Sequence, residues 1–440
     1  MNLVYGIKDK PKFGQMLIFA IQQVLAILAA TIAVPAIVGN GMSASAALFG
    51  AGVGTIVYQL FTKFRSPVFL GSSFAFIGSM VAAFAGAVSA SAGFTGILLG
   101  AAFAGLVYVV IAIIIKIAGV KWIDKLMPPV VIGPTVALIG LSLAGAAIND
   151  VFSYGPVDGN GSFIMTGNIW ASFICAIVTL LVVIIVSVYG KKMTKLIPFI
   201  IGIVAGYIVA AIFTVCGVPV IDFSLFQNLS IVSVPQFTFI EAMKGVKEID
   251  GAYIASVAVA YVPVAFVVFA EHLADHKNLS TIIDSNLLED PGLHRTLLGD
   301  GIGSVAGAIF GGCPNTTYGE SVGCVAITRN ASVVTITTAA IMCLIISFFG
   351  PFVAFLDSIP GCVMGGVCIT LYGFIAVSGL KMIQKVDLNQ NKNLFVVASI
   401  LIPGIGGMAM AIGKVTLTAI ACSLILGIIV NLVVSKAKDE

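Results

Sequence analysis

Three carboxylates stand inside or beside long apolar stretches of this sequence. Glu271 and Asp275 occur in "FVVFAEHLADHK", and Glu320 occurs in "GGCPNTTYGESVG". An ionisable side chain within a membrane span costs at least ~2.5 kcal/mol at the helix centre, so such residues are functional candidates by default. Glu271 and Asp275 are four residues apart and share one face of a helix. A carboxylate accepts hydrogen bonds from N–H donors, attracts a cation, and in an apolar setting holds a proton more readily than it does in water. These residues therefore suit a cation or a neutral heterocycle with two N–H groups. Glu271, which lies a turn deeper in its apolar run than Asp275, is the candidate proton carrier, with Asp275 aiding exchange toward the cytoplasm.

Other polar residues have plainer readings. His276 and Lys277 close a segment and are expected to face cytoplasmic water, and for Asp275 that reading competes evenly with a functional one. His272 points from a different face than Glu271, which suggests a structural hydrogen bond. Asp357, in "AFLDSIPGCV", reads as a solvated cap and Arg329 as an inner-face anchor.

The stretch around Glu320 is hostile to a helix. Gly311, Gly312, Pro314, Gly319 and Gly323 interrupt it, and Asn315, Thr316 and Thr317 favour turns or extended backbone. Pro67, Gly71, Ser72 and Ser73 do the same in "SPVFLGSSFAFIGS". Irregular backbone survives at membrane depth only inside protein or beside a wet cavity. Two broken spans could meet there, each restarting as a half-helix whose first amides face a bound solute. A glycine packing seam is the competing explanation. It suits "GILLGAAFAG" (96–105), but packing alone needs neither Asn315 nor Glu320.

The elements that must position these residues are membrane helices. Of 440 residues, 59% are hydrophobic and only 9% charged, with a mean hydropathy of +1.13. Soluble chains usually carry roughly 25% charged residues. Runs of ~20 apolar residues, each able to cross a bilayer, recur throughout. Fourteen segments are read: 14–38, 44–62, 66–86, 92–115, 122–147, 168–189, 196–216, 251–275, 294–312, 313–328, 331–349, 351–379, 393–411 and 415–434. The first follows a short basic lead with no small-residue cleavage site, so it reads as a span and not a removed signal. Eight scattered cysteines, without a CxxC pair, read as small buried hydrophobes. The sequence has no nucleotide-binding loop, metal cluster, nucleophile constellation or basic tract for nucleic acid, which speaks against an ATP-driven pump, an enzyme and a nucleic-acid partner.

Lys and Arg concentrate in alternate connections, including Lys8, Lys10 and Lys12, then Lys63 and Arg65, then Lys116, Lys121 and Lys125, then Lys191, Lys192 and Lys195. Later members are Lys277, Arg295, Arg329, Lys381, Lys385 and Lys392, with Lys436 and Lys438 at the end. The intervening connections are poor in them, apart from Lys414 and the mixed-charge stretch 217–250. By the positive-inside rule both termini are cytoplasmic. Fourteen spans divide into seven and seven, and an odd half must invert its partner. That is the inverted-repeat plan of many secondary transporters, here residues 1–216 and 251–440 joined by an extracytoplasmic connection, 217–250. The two irregular segments occupy equivalent places, spans three and ten.

"AEHLADH" (270–276), "LLEDPGLHRTLLGDG" (287–301), "GGCPNTTYGESVGCVAITR" (311–329), "LGSSFAFIG" (70–78) and "ATIAVP" (30–35) closely resemble the nucleobase–ascorbate transporter family over essentially the whole chain. The resemblance implies an all-α polytopic fold of two inverted seven-span repeats, a core and a gate domain, and short paired strands in spans three and ten. It implies proton-coupled import of uracil across the cytoplasmic membrane, with protons as coupling ion, no further cofactor, and a homodimer. Residue by residue, Glu271 and Glu320 match the glutamates that hold the pyrimidine's polar edge. Gly319 and Phe74 match positions whose amides meet its carbonyl oxygens, and the Phe74 ring packs near it. The family pattern differs at three places: Ser321 replaces the usual Asn, Gln22-Gln23 replaces Gln-His, and Asp275 stands where some uracil permeases have His. Carriers of xanthine or uric acid are the alternative within the family, although that branch typically has Gln in place of Glu320. An anion exchanger or channel of related fold is a more distant one, which two carboxylates oppose.

Overall fold

The structure, a computed structural model, describes residues 3–119, 128–191, 194–227, 229–412 and 415–435. Lys121, Lys125, Lys192, Lys414, Lys436 and Lys438, part of the charge alternation, and the first residues of the fifth segment lie outside these. The described chain is mostly helical. Eight of its helices are long and apolar enough to cross a membrane, and four shorter apolar ones accompany them.

Nine helices and two strands position the three carboxylates and the irregular segments. They are α1 (Phe13–Val38), α2 (Ala44–Phe61), β1 (Leu70–Ser72), α3 (Ile77–Ala85), α4 (Ala90–Ala118), α5 (Pro129–Ser142), α6 (Gly251–Ile283), α7 (Leu293–Gly311), β2 (Asn315–Thr317), α8 (Gly319–Thr328) and α9 (Gly361–Ile383). Side-chain caps start several of them. Ser43 accepts from Ala46 N, Ser89 from Ala92 N and Asp250 from Tyr253 N, each satisfying an amide that the first turn leaves free.

Helix α4 shows what the fold rests on. Leu106, Val110, Ile113 and Ile117 form an exposed apolar stripe along it. In water such a stripe would be unfavourable, whereas in lipid it is solvated. The opposite face carries the glycines of "GILLGAAFAG" and packs inward. A Cβ on Gly100 would come 2.3 Å from the Tyr261 ring, and one on Gly105 2.6 Å from Val305. The packing-seam reading of this stretch therefore holds. Helices α2 and α7 approach through glycines as well: a Cβ on Gly50 would lie 2.4 Å from the Gly307 carbonyl oxygen. Close backbone contact of this kind gives membrane helices their dispersion attraction.

Helix α6 departs from the sequence expectation. Hydropathy ends this segment near residue 275, but the helix runs 33 residues to Ile283 and stops at Asp284, which has φ 53°. Nothing in "HKNLSTII" breaks a helix, so the polar residues stay within it. His276, expected to face water, is instead fully buried.

Candidate functional site

Both irregular segments abandon the helix and pair with each other. Strand β1 runs antiparallel to β2 in the register Leu70 with Thr317, Gly71 with Thr316 and Ser72 with Asn315. Ser73 N donates to Pro314 O at 2.9 Å, and Tyr318 N donates to Phe69 O at 3.3 Å. Thr55 on α2 completes the edge. Its hydroxyl accepts from Leu70 N at 2.9 Å and donates to Leu70 O at 3.2 Å. Tyr318 donates to Ser72 O at 2.7 Å, and its ring occupies the space a side chain at Gly71 would need, 2.4 Å from a Cβ there. The strands are buried throughout, so these bonds answer the requirement that buried backbone be paired.

Asn315 reads from the sequence as the sign of a site, and the structure gives it another task. Its amide donates to Gly50 O at 3.0 Å from a slot between α2 and α7. A Cβ on Gly307 would come within 2.1 Å of that amide, and one on Gly54 within 2.3 Å. Asn315 thus anchors β2 to the helix pair behind it, and packing does need it.

After each strand the chain restarts as a helix. A single 3-10 turn, Phe74–Phe76, leads into α3, and α8 begins at Gly319. The first amides of a helix have no acceptor within it. Here both sets of amides belong to residues bordering one cavity of about 400 Å³. Phe74, Glu271, Asp275, Gly319 and Glu320 all line it. The four residues read as substrate-binding and the two read as proton-coupling are therefore brought together in one place. The rest of the wall includes Val136 and Ile139 of α5, Phe199, and Leu371, Phe374 and Ile375 of α9. One side is thus polar, built by the strands, the half-helix starts and α6. The other is apolar. No Lys, Arg or His lines the cavity among the described residues. Three carboxylates without a counter-charge make a site that repels anions and accepts N–H donors or cations.

Sequence reasoning missed the groups that hold these residues. Thr317 Oγ1 donates to Asp275 Oδ2 at 2.9 Å, fastening β2 to α6. The Ser321 hydroxyl accepts from Phe69 N at 3.1 Å and from the Gln23 side-chain amide. The alternation of Thr316 and Thr317 on a strand is the available signal for Thr317, since neighbouring strand residues point to opposite sides.

Behind Glu271, on the far face of α6, lies a buried polar network. His272 Nδ1 is 2.8 Å from Asp300 Oδ2, and its Nε2 is 3.0 Å from Thr296 Oγ1. Thr296 Oγ1 also donates to Leu293 O at 3.0 Å. His276 Nδ1–H donates to His272 O at 2.8 Å, and its Nε2 meets Tyr58 Oη at 2.7 Å. His272, His276 and Asp300 are fully buried and none lines the cavity. The structural role expected of His272 fits this placement.

A membrane protein whose chain breaks twice into paired strands, and restarts as half-helices around a carboxylate-lined cavity, has the construction of a secondary transporter. A family model described as "Permease family" matches residues 14–413. The chain belongs to this permease family, the nucleobase–ascorbate transporters. The uracil permease of Bacillus caldolyticus is 39% identical over 98% of this chain and 94% of its own length. That of Bacillus subtilis is 37% identical over 99% and 96%. Among solved structures, murine solute carrier 26 member A9, an anion transporter in the inward-facing state, superposes with a TM-score of 0.68. It covers 97% of this chain and 69% of that one at 13% identity, a likeness of fold alone.

Proposed function

We propose that this protein imports uracil with protons across the cytoplasmic membrane by alternating access. The observation that carries the reading is that Glu271 and Glu320, from different spans, border one cavity together with the helix starts at Phe74 and Gly319. Uracil offers two N–H donors and two carbonyl acceptors. Two carboxylates and two backbone amides complement that set, and the Phe74 ring and the α9 side chains give the flat ring an apolar wall. The two Bacillus relatives, matched over nearly their whole length, are uracil permeases, which supports the same substrate here.

Glu271 carries the proton in this reading, and Asp275, one turn away on the same face of α6, passes it to and from the cytoplasm. Ser378 and Met382 line the cavity, and Lys381 and Lys385 stand next to them in the sequence, which supports a cavity facing the side where basic residues gather. With both termini on that side, the chain crosses the inner membrane fourteen times. Residues 1–216 and 251–440 form the inverted halves, and β1 and β2 stand at their equivalent places. A homodimer, as the family resemblance implies, is part of the same reading. Transport of anions, suggested by the fold likeness alone, is disfavoured by the three carboxylates.

The test is uptake of radiolabelled uracil by a permease-deficient bacterium expressing the chain, with unlabelled bases as competitors. Uracil is expected to compete, and xanthine and uric acid are not. No uptake of uracil beside uptake of radiolabelled xanthine would transfer the reading to the purine carriers of the family.

A further inference from the structure

Ser321 ties three elements together directly behind the cavity. Its hydroxyl accepts from Phe69 N–H, in the segment entering β1, and from the side-chain amide of Gln23 on α1. Ser321 is fully buried and Gln23 is 3% exposed. Ala26 and Cys324, each three residues further on, pack together, so α1 and α8 meet again one turn along. Ser321 follows Glu320 in the first turn of α8. Among the described residues, no side chain donates to the Glu320 carboxylate, in contrast to Asp275, which Thr317 holds. The direction of Glu320 therefore depends on the backbone of that first turn, and the turn is fastened through Ser321.

We propose that Gln23 and Ser321 act as one unit, a positioning pair that aims Glu320 into the cavity and so sets how tightly a donor-bearing base is held. The inference rests on the reading that Glu320 receives an N–H of uracil. Breaking the bond from either side leaves a buried polar group unmatched and frees the α8 turn to rotate.

The test is a double-mutant cycle on the purified full chain in detergent, read by equilibrium uracil binding and by thermal unfolding without ligand. Gln23→Met and Ser321→Ala are each expected to weaken uracil binding about tenfold, and the double variant to be no weaker than the singles. In a Glu320→Gln background, Ser321→Ala should cause no further loss, because the group it aims is already changed. A merely structural residue would lower affinity equally in both backgrounds. Variants that bind like wild type, losses that multiply to about a hundredfold in the double, or a full further loss in the Glu320→Gln background would each overturn the proposal. Wild-type protein that does not bind uracil at all contradicts the functional reading instead. The ligand-free melting cycle then decides the pair by itself: additive shifts in Tm overturn it, and non-additive shifts support it.

Discussion

Thr317 Oγ1 donates to Asp275 Oδ2 over 2.9 Å, so the second strand of the crossing pair holds a carboxylate of the helix opposite. The bond joins the two parts of the polar wall, since Thr317, Asp275 and Glu271 all line the same cavity. It restrains Asp275 while leaving that carboxylate with further lone pairs toward the cavity.

Losing this donor should therefore affect movement more than binding. Thr317→Val is expected to slow uracil uptake several-fold with a smaller effect on equilibrium affinity, and Thr317→Ser to retain uptake. Asp275→Asn should behave like Thr317→Val, slowing uptake more than it weakens binding. Initial uptake rates in cells, set beside binding to purified protein, separate the two effects. Equal losses in both would show that Asp275 is a ligand contact and not a proton-exchange group.

Glu320→Gln should reduce uracil affinity sharply. The amide keeps one acceptor oxygen where the carboxylate had two, and it brings its own donors against the ring. Truncating one partner of a buried charged hydrogen bond costs about 2–5 kcal/mol, which is a loss of affinity of about thirtyfold or more. Calorimetric titration measures it. Unchanged affinity would remove Glu320 from the contact set, and a gain of xanthine binding would give it a role in specificity.

The crossing strands should fail as a fold before they fail as a site when their glycine slot is filled. A Cβ on Gly307 would sit 2.1 Å from the Asn315 amide. Gly307→Ala must therefore expel Asn315, which breaks its bond to Gly50 O. The expected outcome is a marked loss of monodisperse protein on size-exclusion chromatography in detergent. Wild-type yield and melting temperature would show that the slot is not needed to seat β2.

The network behind α6 should behave in the opposite way to the cavity. Tyr58→Phe removes the hydroxyl that His276 Nε2 and Ser66 Oγ both meet at 2.7 Å. Unmatched buried groups cost about 1–3 kcal/mol, so Tm should fall. Uracil affinity should stay within about twofold, because neither His276 nor Tyr58 lines the cavity. A larger loss of affinity with unchanged Tm would place this network in the transport path.

Much of this is legible in the sequence because it depends on local chemistry. Pro67 and Gly71, then Gly312 and Pro314, forbid continuous helices, and the strands at Leu70–Ser72 and Asn315–Thr317 fall where those residues require. Glu271, Asp275 and Glu320 stand out by the cost of placing charge among apolar residues. What is not legible depends on contacts between distant residues. Asn315 looks like a ligand-binding residue until Gly50, Gly54 and Gly307 are seen around it. His276 looks interfacial if the segment ends at 275, but its partner Tyr58 is 218 residues away. The Gln23–Ser321 bond spans 298 residues, and no local pattern announces it.

Whether this chain carries uracil with protons through a site built on Glu271 and Glu320 is decided in proteoliposomes. Purified protein is reconstituted and an inward proton gradient is imposed, with radiolabelled uracil outside. Wild type is expected to accumulate uracil above its external concentration only while the gradient lasts, and Glu271→Gln to abolish the accumulation although the protein remains folded. Accumulation by Glu271→Gln that still follows the pH gradient would show that another group carries the proton, with Glu320 the next to examine.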